Sequence, residues 1–522
     1  MFAAYKNKKQ LIGFISTFGG ASAVIIIDSI IEKLVHYFPF EPENAETFID
    51  EFVISNFGNN IFKAFIVDLF GQRFKDTSFV ISYNFCNALK KKFSQLQIPF
   101  YFISQESYLY SSLLIATKID VNFGETVTLV VPKNNTEFDV AEFKFTKIGY
   151  NLIQEKSITI DLKAKRQILK QQILGTSTPD KIVFASYDAK KFPYKKVFKS
   201  MNLAVFDCCL RCHREKFVIE TCKWMLDKTY AKYHIIPTSN KSIHIYGYYG
   251  SEKNVLDILK ININDPLPLK KSAIFAKSIP LIHMDIEDSL LVLTCPKELP
   301  EEGHKIDITV TIDENNLEEI VISHRDIIAF DEFSSKFSVL QNLKLPFIGF
   351  FNNSSVIAVN KDSNGYEFLK EWNGKYGNDL YISFDQKKPK FGKVAMNIIK
   401  SGKPTFVVFD LLKIMSMPSN DVQVCKHWSF TITKDAENPV LLTFDHFGGI
   451  KKSASPAFLM AMFLRQHLKM IEKEIGKKPT KIALWIFPYE FDEQKLVRIK
   501  KGFKEACEML KTECVFVDPK EY

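Results

Sequence analysis

The sequence predicts an α/β protein with a small antiparallel β-sandwich set into it, and three observations carry that expectation. Strand-like apolar runs alternate with helix-like segments over residues 98–201 and again after residue 345, as in a mixed or parallel sheet flanked by helices. From about residue 239 to 325 the helical segments stop, and short alternating strands remain between Pro, Asn and Gly turns. Residues 12–27 (IGFISTFGGASAVIII) and 348–359 (IGFFNNSSVIAV) both begin I-G-F and end in a β-branched strand, the mark of an internal repeat. At 522 residues the chain exceeds what one core serves, so several domains are expected.

Residues 11–27 run for seventeen positions without a charge, after three lysines. That pattern fits a signal peptide or anchor, and fits equally two strands joined at Gly19–Gly20. Residues 71–85 (GQRFKDTSFVISYNF) read as a segment ending in a strand over 79–85, followed by a helix over 87–96. Residues 98–120 read as strand, turn and helix, and 126–145 as a hairpin turning at 133–136. A helical pattern covers 162–174, and 180–201 read as strand, loop and helix. Alternating strands fall in 261–278, 288–299 and 305–323, and a linker or helix spans 325–345. The last third opens on a buried strand (346–359), passes 403–416 (KPTFVVFDLLKIMS) and 426–432 (KHWSFTI), and continues through a helix at 455–476 to KIALWIFPYEF and the helix after it.

Composition narrows the class. With 46% hydrophobic and 25% charged residues the chain is ordinary globular protein, and 47 Phe favour well-filled sheet cores. The net charge of +9 comes from scattered lysines, which read as solvated faces and not as a nucleic-acid stripe. Nine cysteines without framework spacing imply reduced thiols and a cytoplasmic chain, the secretory pathway being the alternative if 11–27 is a signal. Sequons at Asn134, Asn352 and Asn353 matter only in that second case. Cys209, Cys212, His213 and Cys222 (with Cys208 adjacent) have the makings of half a zinc site or a haem-attachment motif, CLRCH. Reduced cysteines on a helix are the plain alternative.

The order of these segments resembles the 70-kilodalton heat-shock (DnaK-like) chaperone family, in degraded form and over residues 12–522. Residues 264–275 (NDPLPLKKSAIF) are similar to the family's I-P-x-K-K-S strand, and 306–323 to its I-x-V-T-F-x-I-D-x-N-G-I-L-x-V strand. The resemblance implies actin-like, ribonuclease-H-like ATPase lobes over 1–238 (a compressed first lobe, 1–122, and a second, 123–238). It implies a peptide-binding β-sandwich over 239–325 and a second copy of the first lobe over 326–522.

The family holds Mg-ATP on two glycine turns whose N–H groups face phosphate. Here the I-G-I-D-L-G-T-T turn places Ile15 at the Asp position, with Gly19 and Gly20 as a displaced turn; in the second copy Phe351 takes that position. The D-L-G-G-G-T-F-D turn corresponds to 132–139, where Asn134, Asn135 and Thr136 replace glycines, Glu137 replaces Thr, and Asp139 survives. Ser186 and Tyr187 fill the glycine sites of the adenosine loop, Leu412 the catalytic lysine, and Glu106 matches the family's coupling glutamate. His427 and Trp428 of KHWSF are expected to pack structurally.

The expectation is therefore a non-catalytic, chaperone-like protein-binding module, a co-chaperone or regulator, with no cofactor unless a nucleotide pocket persists. Its partners would be a true 70-kilodalton chaperone or an extended peptide, without nucleic acid. Leu267, Lys270, Lys271, Ser272 and Ile274 are the candidate peptide contacts. The alternatives are an active ATP-dependent chaperone or other actin-like ATPase or kinase, and a structural protein.

Overall fold

The uncharged run at 11–27 folds as a β-hairpin in the computed structural model, which describes residues 5, 8–18, 21–41, 44–53, 57, 61–71, 82–187, 191–208, 210–251, 253–288, 292–294, 302–327, 344–361, 365–487 and 491–517. Strands β1 (Leu11–Phe18) and β2 (Ala21–Asp28) pair antiparallel from Leu11↔Asp28 to Phe18↔Ala21. The run lacks charge because both of its faces are covered. Leu11, Ile15, Val24 and Ile26 pack on one side; Ile12, Phe14, Ile25 and Ile27 pack on the other. Among the described residues no helix is long and apolar enough to cross a membrane.

β3 (Lys33–Phe40), β4 (Phe62–Asp68) and β5 (Phe100–Phe102) complete a sheet of order β3-β2-β1-β4-β5. The first three strands are antiparallel, and β4 and β5 run parallel to β1. The expected strand over 79–85 is corrected: residues 82–85 belong to helix α1 (Ser82–Gln95), and 72–81 lie outside the described residues. Phe85, Leu89 and Phe93 recur at helical spacing and are fully buried against β4. The fourth strand is instead FKAFIVD, buried on both faces from Ala64 to Asp68 and without alternation.

Helix α2 (Gln105–Ala116) leads to a second sheet. Its strands are β6 (Thr126–Pro132), β7 (Glu137–Thr146), β8 (Gly149–Thr159), β9 (Lys181–Ala185) and β10 (Leu203–Phe206), with helix α3 (Arg166–Leu174) between β8 and β9. Read from its third strand, the order is β8-β7-β6-β9-β10, the same plan as the first sheet. α2 is buried all round from Tyr110 to Ile115 because Ile115 packs toward the first sheet and Tyr110, Leu113 and Leu114 toward the second. Helix α4 (Arg214–Leu226) returns to the first sheet and covers its second face through Phe217, Val218 and Trp224.

The strand-only segment forms two antiparallel sheets. One has the order β12-β11-β14-β15, from β11 (Lys241–Tyr248), β12 (Val255–Ile261), β14 (Leu281–Asp288) and β15 (Val292–Thr294). The other has the order β13-β16-β17, from β13 (Leu269–Ala276), β16 (Lys305–Ile312) and β17 (Glu318–Arg325). Ile243, Ile245, Leu259 and Met284 share a core with Ile308, Val310 and Ile312, so the expected sandwich is present.

The last unit repeats the plan a third time. β18 (Phe347–Phe351), β19 (Ser354–Lys361) and β20 (Gly365–Phe368) are antiparallel, and β28 (Lys481–Ile486) and β29 (Glu513–Phe516) extend from β18 in parallel, in the order β20-β19-β18-β28-β29. Between β20 and β28 lie β21 (Asn378–Asp379), two small sheets (β22, Ile382–Ser383, β23, Lys390–Phe391, and β24, Val407–Val408; β25, Thr431–Thr433, β26, Leu441–His446, and β27, Ile450–Ala454) and helices α5 (Lys393–Lys400), α6 (Leu411–Ser416) and α7 (Pro456–Ile475). Helix α8 (Glu493–Met509) joins β28 to β29, as α1 joins β4 to β5.

The repeat is real in topology, but the I-G-F motif does not mark its register. Both hairpins turn on two residues, Phe18↔Ala21 and Phe351↔Ser354. Anchored there, Gly349 stands opposite Ser16, three positions from Gly13. An odd slip changes faces. Gly13 indeed faces Phe65 on the α1 side, whereas Gly349 faces Val356 and Phe347, away from α8.

The sandwich is held from both ends. At one end its 313–317 turn enters the first unit: Phe102 N–H donates to Asn315 Oδ1 (2.9 Å), Lys90 pairs with Asp313 (2.7 Å), and Leu317 joins the Phe65 core. At the other end Tyr381 donates to the Ser278 carbonyl (2.5 Å), and Lys277 reaches the carbonyls of Tyr376 and Gly377. Leu317→Ala is expected to cost about 2–4 kcal/mol, read as a lowered urea midpoint, because it empties a fully packed contact between units.

Candidate functional site

The β6–β7 turn is closed on itself. The Asn134 side-chain oxygen accepts from Thr136 N–H (2.9 Å), Glu137 N–H (2.9 Å) and the Thr136 hydroxyl (3.0 Å), and its amide donates to Glu137 (2.9 Å). This is an Asx turn, and it occupies the N–H groups that a phosphate turn would point outward. Asn135 Oδ1 accepts from Lys191 N–H (3.1 Å), which ties down the following loop. Ser186 spends both its N–H and its hydroxyl on the Phe206 carbonyl. Asp139 accepts from Ser157 (2.5 Å) and pairs with Lys133 (2.8 Å), a cross-strand contact on an open face. Gly19 and Gly20 lie outside the described residues.

A buried carboxylate that sequence reading passed over lies nearby. Asp68 ends β4 opposite Ser16 of β1, whose hydroxyl donates to it at 2.9 Å. Burial pushes its pKa up to about 6, against the Ser16 hydrogen bond and with help from Glu106, which is exposed in the first turn of α2. Across α2, Tyr110 donates to Glu155, and both Asp139 and Glu106 bear on that phenol electrostatically. Glu106, Asp139 and Glu155 thus share Tyr110 as a neighbour, with Asp139 opposite Val131 near the carboxyl end of β6. The charge around Tyr110 is acidic, and Lys133 is already paired with Asp139. Phosphate would be repelled there. The signal that finds Asp68 is an aspartate directly after the apolar run 64–67.

In the third unit the matching hairpin turn is tied to a neighbouring segment, while the buried Asn353 Nδ2 has no hydrogen-bond partner among the described residues. Asn353 Oδ1 accepts from Asp410 N–H (2.9 Å), and Asp410 sits in the left-handed region at φ 59°. The Asp410 carboxylate accepts from His427 Nε2 (3.0 Å) and Trp428 Nε1 (2.9 Å), so both aromatic residues have structural partners. Tyr249 of the sandwich stacks on Phe409 (5.3 Å) and His427 (4.8 Å) and contacts the Tyr381 hydroxyl. Leu412 is buried. His467 of α7 completes the core: the Phe463 carbonyl only accepts, so Nδ1 carries the proton (2.7 Å) and Nε2 accepts from Ser355 (2.8 Å). Burial drives its pKa down to about 4.

The sandwich candidates divide. Leu267 is core, and Lys271 is turned to Asp265 (2.8 Å) and the Lys260 carbonyl. Lys270, Ser272 and Ile274 share the exposed face of β13, whose second edge pairs with no strand among the described residues. Ser272 bonds Thr309 across to β16 (2.8 Å). The cysteine cluster does not assemble: Cys222 is buried under the first sheet, Cys212 is exposed, and His213 packs its ring on Phe206. Among the described residues no three His, Cys, Asp or Glu side chains form a metal-holding group, and Cys209 lies outside them. No protein-family model matches this chain.

Two titrations test these placements. Asp68 has a folded pKa above its unfolded one, so its charge opposes folding above pH 6 and the opposition fades toward pH 4. Asp68→Asn is expected to stabilise the protein by roughly 1–3 kcal/mol at pH 7.5, with the gain gone by about pH 4 in pH-dependent melts. His467 has the opposite sense: its folded pKa lies below 6.5, so stability is full above that value and falls as pH drops toward 4. His467→Gln is expected to flatten that part of the profile.

Proposed function

We propose that the chain is a non-catalytic relative of the 70-kilodalton chaperones that acts as a protein-binding module. The observation that carries this reading is the Asn134 turn, in which a side-chain oxygen stands where the family would place phosphate. Three sheets with one strand plan, antiparallel through the first three strands and parallel in the last two, support actin-like lobes. The sandwich follows the first two of them, as the family's order requires. The acidic charge around Tyr110 and the packed Asp410 turn support a nucleotide-free protein.

The binding surface on this reading is the open edge of β13, which would take an extended apolar peptide as an added strand. Main-chain hydrogen bonds would supply affinity, and Ile274 an apolar contact. The function is then that of a co-chaperone or regulator that holds extended segments without an ATP cycle.

Isothermal titration of Mg-ATP and Mg-ADP, at concentrations that detect a Kd of about 100 μM, is expected to give no heat with folded protein. Micromolar binding would instead mark an active ATPase. Fluorescence anisotropy with a labelled extended apolar peptide is expected to show binding that Ile274→Lys weakens about tenfold, the cost of roughly one buried aliphatic contact. Equal binding by the variant would remove β13 from the reading.

A further inference from the structure

Cys507 and Cys514 line the same open depression, though neither belongs to the surfaces described above. Local structure puts them there. Cys507 lies in the last turn of α8 and Cys514 is the second residue of β29, where it pairs with Ile482. The chain reverses between them: Leu510 and Thr512 both donate N–H to the Cys507 carbonyl (3.1 Å each), and Lys511 takes a left-handed conformation at φ 53°. Glu513 N–H then donates to the Thr480 carbonyl (2.8 Å), which fixes the start of β29. The depression is also lined by Lys481, Lys504, Lys511, Glu508 and Glu513.

The two sulfurs are unequal. Cys507 is 2% exposed, while Cys514 is partly open to solvent. The neighbouring Cys507 thiol holds the Cys514 pKa below the usual thiol value, with Lys504 helping; Cys507 itself is pushed up, by Cys514 and by burial. Cys514 is thus the better thiolate and Cys507 the thiol beside it. Cys86 and Cys222 contrast with them, since burial raises both thiols inside apolar cores.

We propose that Cys507 and Cys514 form a reversible redox site that hydroperoxide converts to a disulfide. The Cys514 thiolate attacks a peroxide oxygen, the O–O bond breaks, and the departing hydroxide takes a proton to become water. Cys514 is left as a sulfenic acid. The Cys507 sulfur then attacks the Cys514 sulfur, the S–O bond breaks, and the hydroxyl leaves with the Cys507 proton as a second water. Two thiols lose two electrons and hydrogen peroxide gains them. The product fastens the last turn of α8 to β29, the outer strand of the third sheet. A dithiol reductant reverses it.

The test treats the folded full-length protein with hydrogen peroxide, blocks the remaining thiols, and maps peptides by mass spectrometry. A 507–514 crosslink that dithiothreitol removes is expected, with loss of two titratable thiols. Cys507→Ser is expected to accumulate a Cys514 sulfenic acid that dimedone traps, whereas Cys514→Ser leaves Cys507 unlabelled. Both cysteines remaining alkylatable after peroxide treatment would overturn the proposal. Equal dimedone labelling of Cys507 in Cys514→Ser would overturn the assignment of Cys514 as the attacking thiol. The Cys→Ser exchange is nearly isosteric, and the wild-type crosslink reads the site without any variant.

Discussion

A five-stranded sheet with two apolar faces has to be covered twice, and that requirement organises the chain. In the first unit α1 covers one face through Phe85, Leu89 and Phe93, and α4 returns from beyond the second sheet to cover the other through Phe217 and Trp224. Because α4 arrives only after the second sheet is complete, the first unit cannot finish its core until some 200 residues have been threaded. α2 lies between the two sheets and serves both, which explains why it is buried all round from Tyr110 to Ile115. The third unit meets the same demand differently. α7 and α8 pack one face, and Ile327 and Leu345 approach the other beside Trp485.

The sandwich is bound into this arrangement instead of hanging from a linker. Residues 234–236, which lead into it, pair with Tyr150 at the head of β8 (2.8 and 2.9 Å), and Lys228, beyond the end of α4, pairs with Glu314 of the sandwich's 313–317 turn at 3.7 Å. On the far side Lys277 and His304 anchor to the backbone of residues 375–377. The ion pairs among these contacts are partly exposed and add little stability, so what they supply is restraint on relative motion. The sandwich thus relates the two-sheet unit to the third unit as a rigid spacer.

Legibility in the sequence followed the strength of local signals. The hairpins at 11–28 and 126–146, and the α7 helix with Ser455 as cap, Pro456 in its first turn and Gly476 past its end, were readable because turn and cap chemistry is local. β4 was not, because a strand buried on both faces has no period, and the aromatic stretch beside α1 imitates one. The I-G-F motif misled by three residues, since pairing register is set by turns and burial and not by resemblance of tripeptides. At the site, the lack of glycine in residues 133–137 was visible in the sequence, but how the turn closes was not. The Asn134 bonds, the Ser16–Asp68 pair and the Tyr249 stack depend on distances between segments.

An anion-binding turn is ordinarily a vacancy, defined by donors that wait for something to arrive. In residues 134–137 the donors are met from within, by one carboxamide oxygen. A binding loop of this design has no empty and full states to alternate between, so it transmits no signal; it is a fixed corner of the scaffold. With its donors satisfied internally, the turn makes no demand on the charge around it, and the carboxylates of Glu137 and Asp139 stand beside it.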